Sequence, residues 1–224
     1  MQPSVLGQVN LVYDFAQIKK KGFTQSTDLC HLMTSFGSDK GHQFHNYTVV
    51  YDSLFARFRN AKLAILELEL GTNKVGAASS MGASGKPGAS LRGWQAYFPN
   101  SQIYGADIDS DILFGEERIK TFWTDQRDPY AIRSMWKKIG DIGFDIILDD
   151  GLHQASANIC FFMESFGKLK SGGIHIVEDV TQQDAEIIEA FVSCIGCVCK
   201  STVHEELDHP LNKGDNRLAI IQKA

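Results

Sequence analysis

Short apolar runs, each bounded by turn residues and separated from the next by an amphipathic stretch, constrain this chain more than any other feature. Residues 63–68, 102–107, 119–124, 144–149 and 173–178 read as strands. Residues 90–98, 111–118, 129–138 and 155–169 between them carry helical spacing. Apolar runs buried on both faces and alternating with helices predict a parallel sheet covered by helices, an α/β sandwich. The last two β candidates, 193–203 and 216–222, have no helix between them and should pair antiparallel at the sheet edge. Before the first strand, Tyr47, Val50, Tyr51, Leu54 and Phe58 recur at three-to-four spacing. Residues 1–60 are therefore expected to be a helical segment packed on a core formed by 61–224.

One stretch breaks this rhythm. From Gly71 to Gly93 the chain holds six of its 20 glycines, with Ala and Ser between them. The stretch follows the first strand directly and ends at Ser90, read as the N-cap of the next helix. A Gly-rich loop at that point of an open α/β sheet is where a nucleotide-like ligand approaches the backbone. A second small turn, Gly37-Ser-Asp-Lys-Gly41, precedes the Tyr47 helix and suits ligand contact.

The acids then fall into a pattern that packing does not require. Asp107 and Asp109 end the second strand, Asp125 the third, Asp149 and Asp150 the fourth, and Glu178 and Asp179 the fifth. The carboxyl ends of parallel strands are the ligand-binding edge of such a sheet. An acid after the second strand is the usual acceptor for ribose hydroxyls, and Asp125 is placed to accept from an adenine amino group. NAD fits so far, but no compact G-x-G-x-x-G supplies a pyrophosphate cradle; S-adenosylmethionine (SAM) needs none. Asp150 with the Glu178-Asp179 doublet forms a hard-oxygen set suited to Mg2+ or a similar cation. His153, just past the same strand tip, is the candidate general base.

Composition closes off other classes. The 27 acids against 22 bases leave a net charge of -5, without the basic footprint of a nucleic-acid binder. The longest late apolar stretch, residues 190–199, is far below the roughly 18 to 20 residues of a membrane span. No basic-then-apolar leader begins the chain, so a cytoplasmic location is expected. The five cysteines, Cys30, Cys160, Cys194, Cys197 and Cys199, read as buried thiols, the last three on a strand.

Taken together, Gly37-Ser-Asp-Lys-Gly41, His45-Asn-Tyr47, Tyr51, Gly88-Ala-Ser-Leu-Arg-Gly-Trp94, Tyr97-Phe-Pro-Asn100, Gly105-Ala-Asp-Ile-Asp109, Asp125-Gln126, Asp149-Asp-Gly-Leu-His153 and Gly173-Ile-His-Ile-Val-Glu-Asp179 resemble the metal-dependent macrolide-sugar and aminocoumarin-sugar O-methyltransferases. Relatives of that family are often labelled cephalosporin hydroxylases. The resemblance runs from about residue 36 to the C-terminus. It implies a Rossmann-like class I methyltransferase sandwich, with a seven-stranded, mostly parallel sheet and an antiparallel edge strand. It implies SAM and Mg2+ as cofactors, with Asp150, Glu178 and Asp179 as metal ligands and His153 as catalytic base. Asp107 and Asp109 would hold the ribose, and Asp125 and Gln126 the adenine. Ser38, Lys40 and Ser90 would line the methionine end, with Glu67, Gly71 and Asp149 completing the cofactor set. The implied reaction is methyl transfer to a hydroxyl of a sugar-containing or phenolic small molecule, and a homo-oligomer, dimer or higher, is compatible with the apolar N-terminal helices. A degenerate SAM-binding interaction module and, more distantly, an NAD-dependent oxidoreductase are the competing readings. Glu69 stands where the family's first-strand motif has a glycine, and the insertion at 73–87 is longer than in the antibiotic enzymes, so a different acceptor is expected.

Overall fold

Along the first apolar run, Ile65 and Leu66 point to opposite faces and join different apolar clusters, which is possible only for a strand covered on both sides. The computed structural model describes residues 2–41, 44–76 and 79–224 and shows that arrangement throughout. Strands β1 (Ala64–Leu68), β2 (Gln102–Asp107), β3 (Gly115–Glu116), β4 (Ile119–Trp123), β5 (Phe144–Asp149), β6 (Leu169–Val177), β7 (Cys199–Glu206) and β8 (Arg217–Lys223) form one sheet in the order β3-β4-β2-β1-β5-β6-β8-β7. The five central strands are parallel, β8 runs antiparallel to both β6 and β7, and β3 pairs antiparallel with β4. The sheet thus has eight strands rather than seven, the extra one being the two-residue β3.

Helices α1 (Leu11–Lys21), α2 (Asp28–Phe36), α3 (Tyr47–Phe55) and α4 (Ala89–Tyr97) cover one face. Their Leu11, Met33, Tyr51 and Trp94 share a cluster with Ile65, Ile103, Ile146 and Ile174 of the sheet. Helices α5 (Pro129–Ile139) and α6 (Ala155–Ser165) cover the other, where Trp136 and Phe161 meet Leu66, Tyr104 and Ile147. Each such aliphatic side chain, fully buried, contributes roughly 1.5–3 kcal/mol. Helix α7 (Ala185–Cys194) extends that second layer over β6 and β8 through Ile188 and Val192.

Four local expectations change. Residues 111–118 form no helix; a single 3-10 turn at Ser110–Ile112 is followed by β3, because Arg118 takes a left-handed φ of 60° and Phe114 is tied back to the Thr121 hydroxyl. Ser90 is not an N-cap: Gly88, at φ 74°, caps α4, and a Cβ there would lie 2.4 Å from the Phe114 ring. The edge strand expected from 193 begins only at Cys199, since Ser193 and Cys194 finish α7. In consequence Cys194 and Cys197 are exposed and lie on no strand, while Cys199 is half-buried. Ala77 and Ala78 of the Gly-rich insertion lie outside the described residues. No helix among the described residues is long and apolar enough to cross a membrane.

Candidate active site

The parallel register sets Leu68, Asp149 and Val177 side by side, so the residues that follow, Glu69, Asp150 and Glu178, leave the sheet together at one edge. Two cavities open there. The larger, about 450 Å3, lies over the ends of β1, β2 and β4 and reaches the size of a small-molecule site. Asp107, Asp109, Asp125 and Gln126 line it, as the sequence predicts, together with Lys74 and Arg127. The acids here already have partners. Asp107 accepts from the backbone N–H of Leu70 and of Asp109, both at 2.7 Å. Asp109 accepts from the Thr72 hydroxyl at 2.7 Å and from Lys74 Nζ at 2.6 Å, and Lys74 holds its carboxyl below the usual range. Asp125 is paired with Arg127, which depresses it likewise. Asp149 lines neither cavity: it is fully buried, accepts from Gln126 Nε2 at 2.6 Å, and burial pushes its pKa up to about 6. Its place is behind Gln126, fixing that amide at the cavity wall.

The smaller cavity, about 70 Å3, lies over β5 and β6 beneath α3 and the Gly-rich loop. Ser38, Lys40, Glu67, Gly71, Ser90, Asp150, His153, Glu178 and Asp179 all face it. Lys40 is 2 % exposed, and its ammonium lies 2.5 Å from Asp150, in contact with Glu178 and 3.5 Å from Glu67. It therefore sits among the metal-candidate acids. Burial opposes its charge, but the three carboxylates outweigh burial and raise its pKa. Glu178 is held on its other oxygen by the Tyr51 hydroxyl at 2.6 Å, and burial raises its pKa well above the carboxylate range. Tyr47 donates to Asp179 Oδ1 at 2.6 Å, and burial lifts Asp179 to about 6. His153 Nε2 lies 3.3 Å from Asp179 Oδ2 and 3.5 Å from Asp150 Oδ1. Burial alone would lower this histidine; the two carboxylates lift it to about 9.

Ligand-type atoms of Asp150, His153 and Asp179 lie within 4.8 Å of one another. His153 Nε2 is also buried without a hydrogen-bond partner among the described residues. The two carboxylates converging there, with Glu178 beside them, supply hard oxygens that fit a divalent cation, and the unbonded imidazole nitrogen stands next to them where a proton acceptor would.

Backbone strain gathers at the same place. Five described non-glycine residues have positive φ, and four of them, Glu69, Ser79, His153 and Asp179, line the small cavity. Such conformations cost about 1–3 kcal/mol each and persist where the surroundings enforce them. Gly71, at φ 76°, belongs to the same edge; a Cβ on it would come within 2.1 Å of Met81 Sδ, which packs down from the Gly-rich loop. In the sequence Tyr47 and Tyr51 show only a core spacing, yet that spacing on α3 is what carries both hydroxyls to the acids. Met81 and Ser79 carried no signal beyond lying in the loop, and Lys40 was legible only as part of its turn.

No family model matches the chain. Among curated proteins, 8-demethyl-8-alpha-L-rhamnosyl tetracenomycin-C 2'-O-methyltransferase of Streptomyces olivaceus is 36% identical over 152 residues, which is 68% of this chain and 37% of that protein. Mycinamicin VI 2''-O-methyltransferase of Micromonospora griseorubida is 32% identical over 157 residues, 70% of this chain and 37% of that protein. Among solved structures, the MycE methyltransferase from the mycinamycin biosynthetic pathway, in complex with Mg and SAH, superposes with a TM-score of 0.69 at 24% identity. That match covers 90% of this chain and 56% of the other, and it establishes the shared fold. The chain spans less than two fifths of the length of the curated relatives it matches. By sequence over two thirds of its length, the chain belongs to the family of these sugar O-methyltransferases.

Proposed function

We propose that this chain forms a SAM- and Mg2+-dependent O-methyltransferase domain acting on a hydroxyl of a sugar-containing small molecule. The observation that carries the reading is the convergence of Asp150, His153 and Asp179 beside a separate cavity of ligand size. The larger cavity suits adenosine: Gln126 presents an amide anchored by Asp149, while Asp107 and Asp109 present carboxylates at the end of β2. The small cavity suits the reacting groups. Asp150 and Asp179, with Glu178 shared between them and Lys40, would supply the oxygens that hold the ion. Bound there, Mg2+ would supply charge that lowers the pKa of an acceptor hydroxyl and relieves the carboxylate pull on His153. His153 would take the hydroxyl proton at Nε2, and SAM, when bound, would supply the methyl group that the freed oxygen accepts. Tyr47 and Tyr51 hold Asp179 and Glu178 in place while this happens, so positioning contributes much of the rate. Residues 1–60 would bring Lys40 and Tyr47 to the methionine end of the cofactor and the metal-candidate acids, while Asp107 and Gln126 of 61–224 would hold its adenosine. All five cysteines are free, which fits a reducing compartment such as the cytoplasm.

Calorimetric titration with SAM, with and without Mg2+, tests the reading, followed by methyl transfer to glycosylated acceptors. Asp150→Ala should lower turnover roughly 10^2–10^4-fold, the scale of lost acid–base and electrostatic catalysis, while SAM binds within a few-fold of wild type. Absence of SAM binding at millimolar ligand would overturn it.

A further inference from the structure

The two cavities share one lining residue, Glu69. It follows β1, with its backbone N–H fixed to the Ala106 carbonyl at 2.7 Å, and the chain turns there through a left-handed φ of 78°. Among the described residues its carboxyl makes no hydrogen bond and no ion pair, whereas Asp107, Asp109, Asp149 and Asp150 at the same edge are bonded. A left-handed conformation that favours glycine, occupied by a glutamate with an unpartnered acid, is an arrangement that folding alone does not reward.

On the reading given above, a ligand with adenosine in the larger cavity and its reactive carbon in the smaller one must pass this residue. The atoms that pass are the methionine end of SAM, whose sulfur carries a positive charge. Transfer sends the methyl to the acceptor oxygen, the hydroxyl proton to the base, and the bonding pair back to sulfur. The product S-adenosylhomocysteine (SAH) then has a neutral thioether at the same position.

We propose that Glu69 is the residue by which this chain distinguishes the charged methyl donor from its neutral product, its carboxyl serving as counter-ion to the sulfonium. The inference rests on the chain being a SAM-binding domain. It explains why an uncompensated acid is kept at the junction: burial first, and then the carboxylates of Asp150, Asp107 and Asp149, push its pKa up to about 10 against the pull of Lys40. The free carboxyl is thereby protonated at neutral pH; a sulfonium arriving at the junction favours the carboxylate, whose proton passes to solvent, and a neutral sulfur does not. Retention of the donor and release of the product are then set by one side chain.

Calorimetric dissociation constants for SAM and SAH, measured on the wild-type chain, Glu69→Gln and Glu69→Gly, test this without reference to turnover. Wild type should favour SAM by about tenfold or more, the scale of one charge-assisted contact. Both variants should bring the ratio close to one, mainly through weaker SAM binding. Glycine tolerates φ 78°, so Glu69→Gly should also unfold at a higher temperature than wild type, and it answers the question if the glutamine variant does not fold. An undiminished preference for SAM in either variant, or equal affinities in wild type, would overturn the role of Glu69 and leave the SAM-binding reading standing. Failure of wild type to bind either ligand would remove that reading, and this one with it.

Discussion

The two cavities are built from the same residue type at the same edge of one sheet, yet they treat it in opposite ways. In the larger one Asp107, Asp109 and Asp125 are answered locally, by backbone N–H groups at Asp107, by Thr72 and Lys74 at Asp109 and by Arg127 at Asp125, and Glu69, shared with the smaller cavity, is the acid left unbonded among the described residues. In the smaller one Glu67, Asp150, Glu178 and Asp179 are all drawn inward, and Lys40 is buried among three of them. A strand-end aspartate is thus inexpensive when it bonds its own loop. It becomes functional where several are forced together with too few partners. The same difference separates shape from chemistry: the first group moulds a cavity, and the second stores charge for something that enters.

The sharpest way to break this contrast is to remove one cation from each cavity. Lys40→Met leaves buried carboxylates facing one another, and the cost of breaking a buried pair is about 3–5 kcal/mol. Thermal unfolding should fall accordingly, and Mg2+ should restore part of the loss. Lys74→Met removes an exposed partner of Asp109 and Asp111 and should leave the unfolding temperature where it was. Equal effects from the two substitutions would mean that the cavities do not differ in stored charge.

Acid titration sharpens the contrast once a core contribution is removed. His175, on β6 between Phe161 and Phe162, is fully buried with neither ring nitrogen bonded among the described residues, and burial drives its pKa down to about 3. Below pH 6.5 the unfolded chain takes up a proton that the folded chain refuses, so stability falls as pH drops toward 3. At pH 4.5 that amounts to roughly 2.7 kcal/mol. His175→Leu should lose less stability than wild type between pH 7 and 4.5 in urea titrations, by about that amount. The acid sensitivity that remains is shared by carboxyls held below the usual range, Asp109 and Asp125 by their own bases and Asp150 by Lys40 and His153 despite burial, and each share is lost as pH falls through the depressed value. An unchanged slope in the variant would show that His175 is protonated in the fold.

Much of this was legible beforehand for a physical reason. Strand ends and their acids follow from a two-residue period and a fixed edge, so Asp107, Asp125, Asp150 and Glu178 are placed by register alone. What depends on long-range packing was not legible. The 111–118 segment has helical composition, but the Thr121 hydroxyl captures the backbone of Phe114 across the turn. Residues 190–199 read equally well as strand or helix by hydrophobicity, and only Ile188 and Val192 packing beneath β8 decides the first half. Lys40 is separated from Asp150 by 110 residues, and no local pattern announces that a lysine in a flexible turn will be buried against acids. Asp109 and Asp150 look alike in sequence and differ only in what the fold brings to them.

The finest test asks whether the two cavities can be uncoupled. Gln126 is buried in the wall of the larger one, donating to Asp149 Oδ1 at 2.6 Å and accepting from the Leu152 N–H at 2.7 Å. It fills the space that Gly151 leaves, where a Cβ would lie 2.3 Å from Gln126 Oε1. Gln126→Ala strands the Leu152 N–H and leaves Asp149 with the 3.3 Å contact from Gly151 and the neighbouring Asn158 amide. The expected cost is about 1–2 kcal/mol of stability, the range for orphaning a buried group. SAM affinity should fall a few-fold, because the wall loses its anchored amide. Mg2+ affinity should not change, since neither Gln126 nor Asp149 lines the small cavity. The 149–153 loop nevertheless runs from one cavity to the other, with His153 only one residue beyond Leu152. If Mg2+ affinity falls in step with SAM affinity, the loop transmits the disturbance, and the division between shaping acids and charge-storing acids is one of degree.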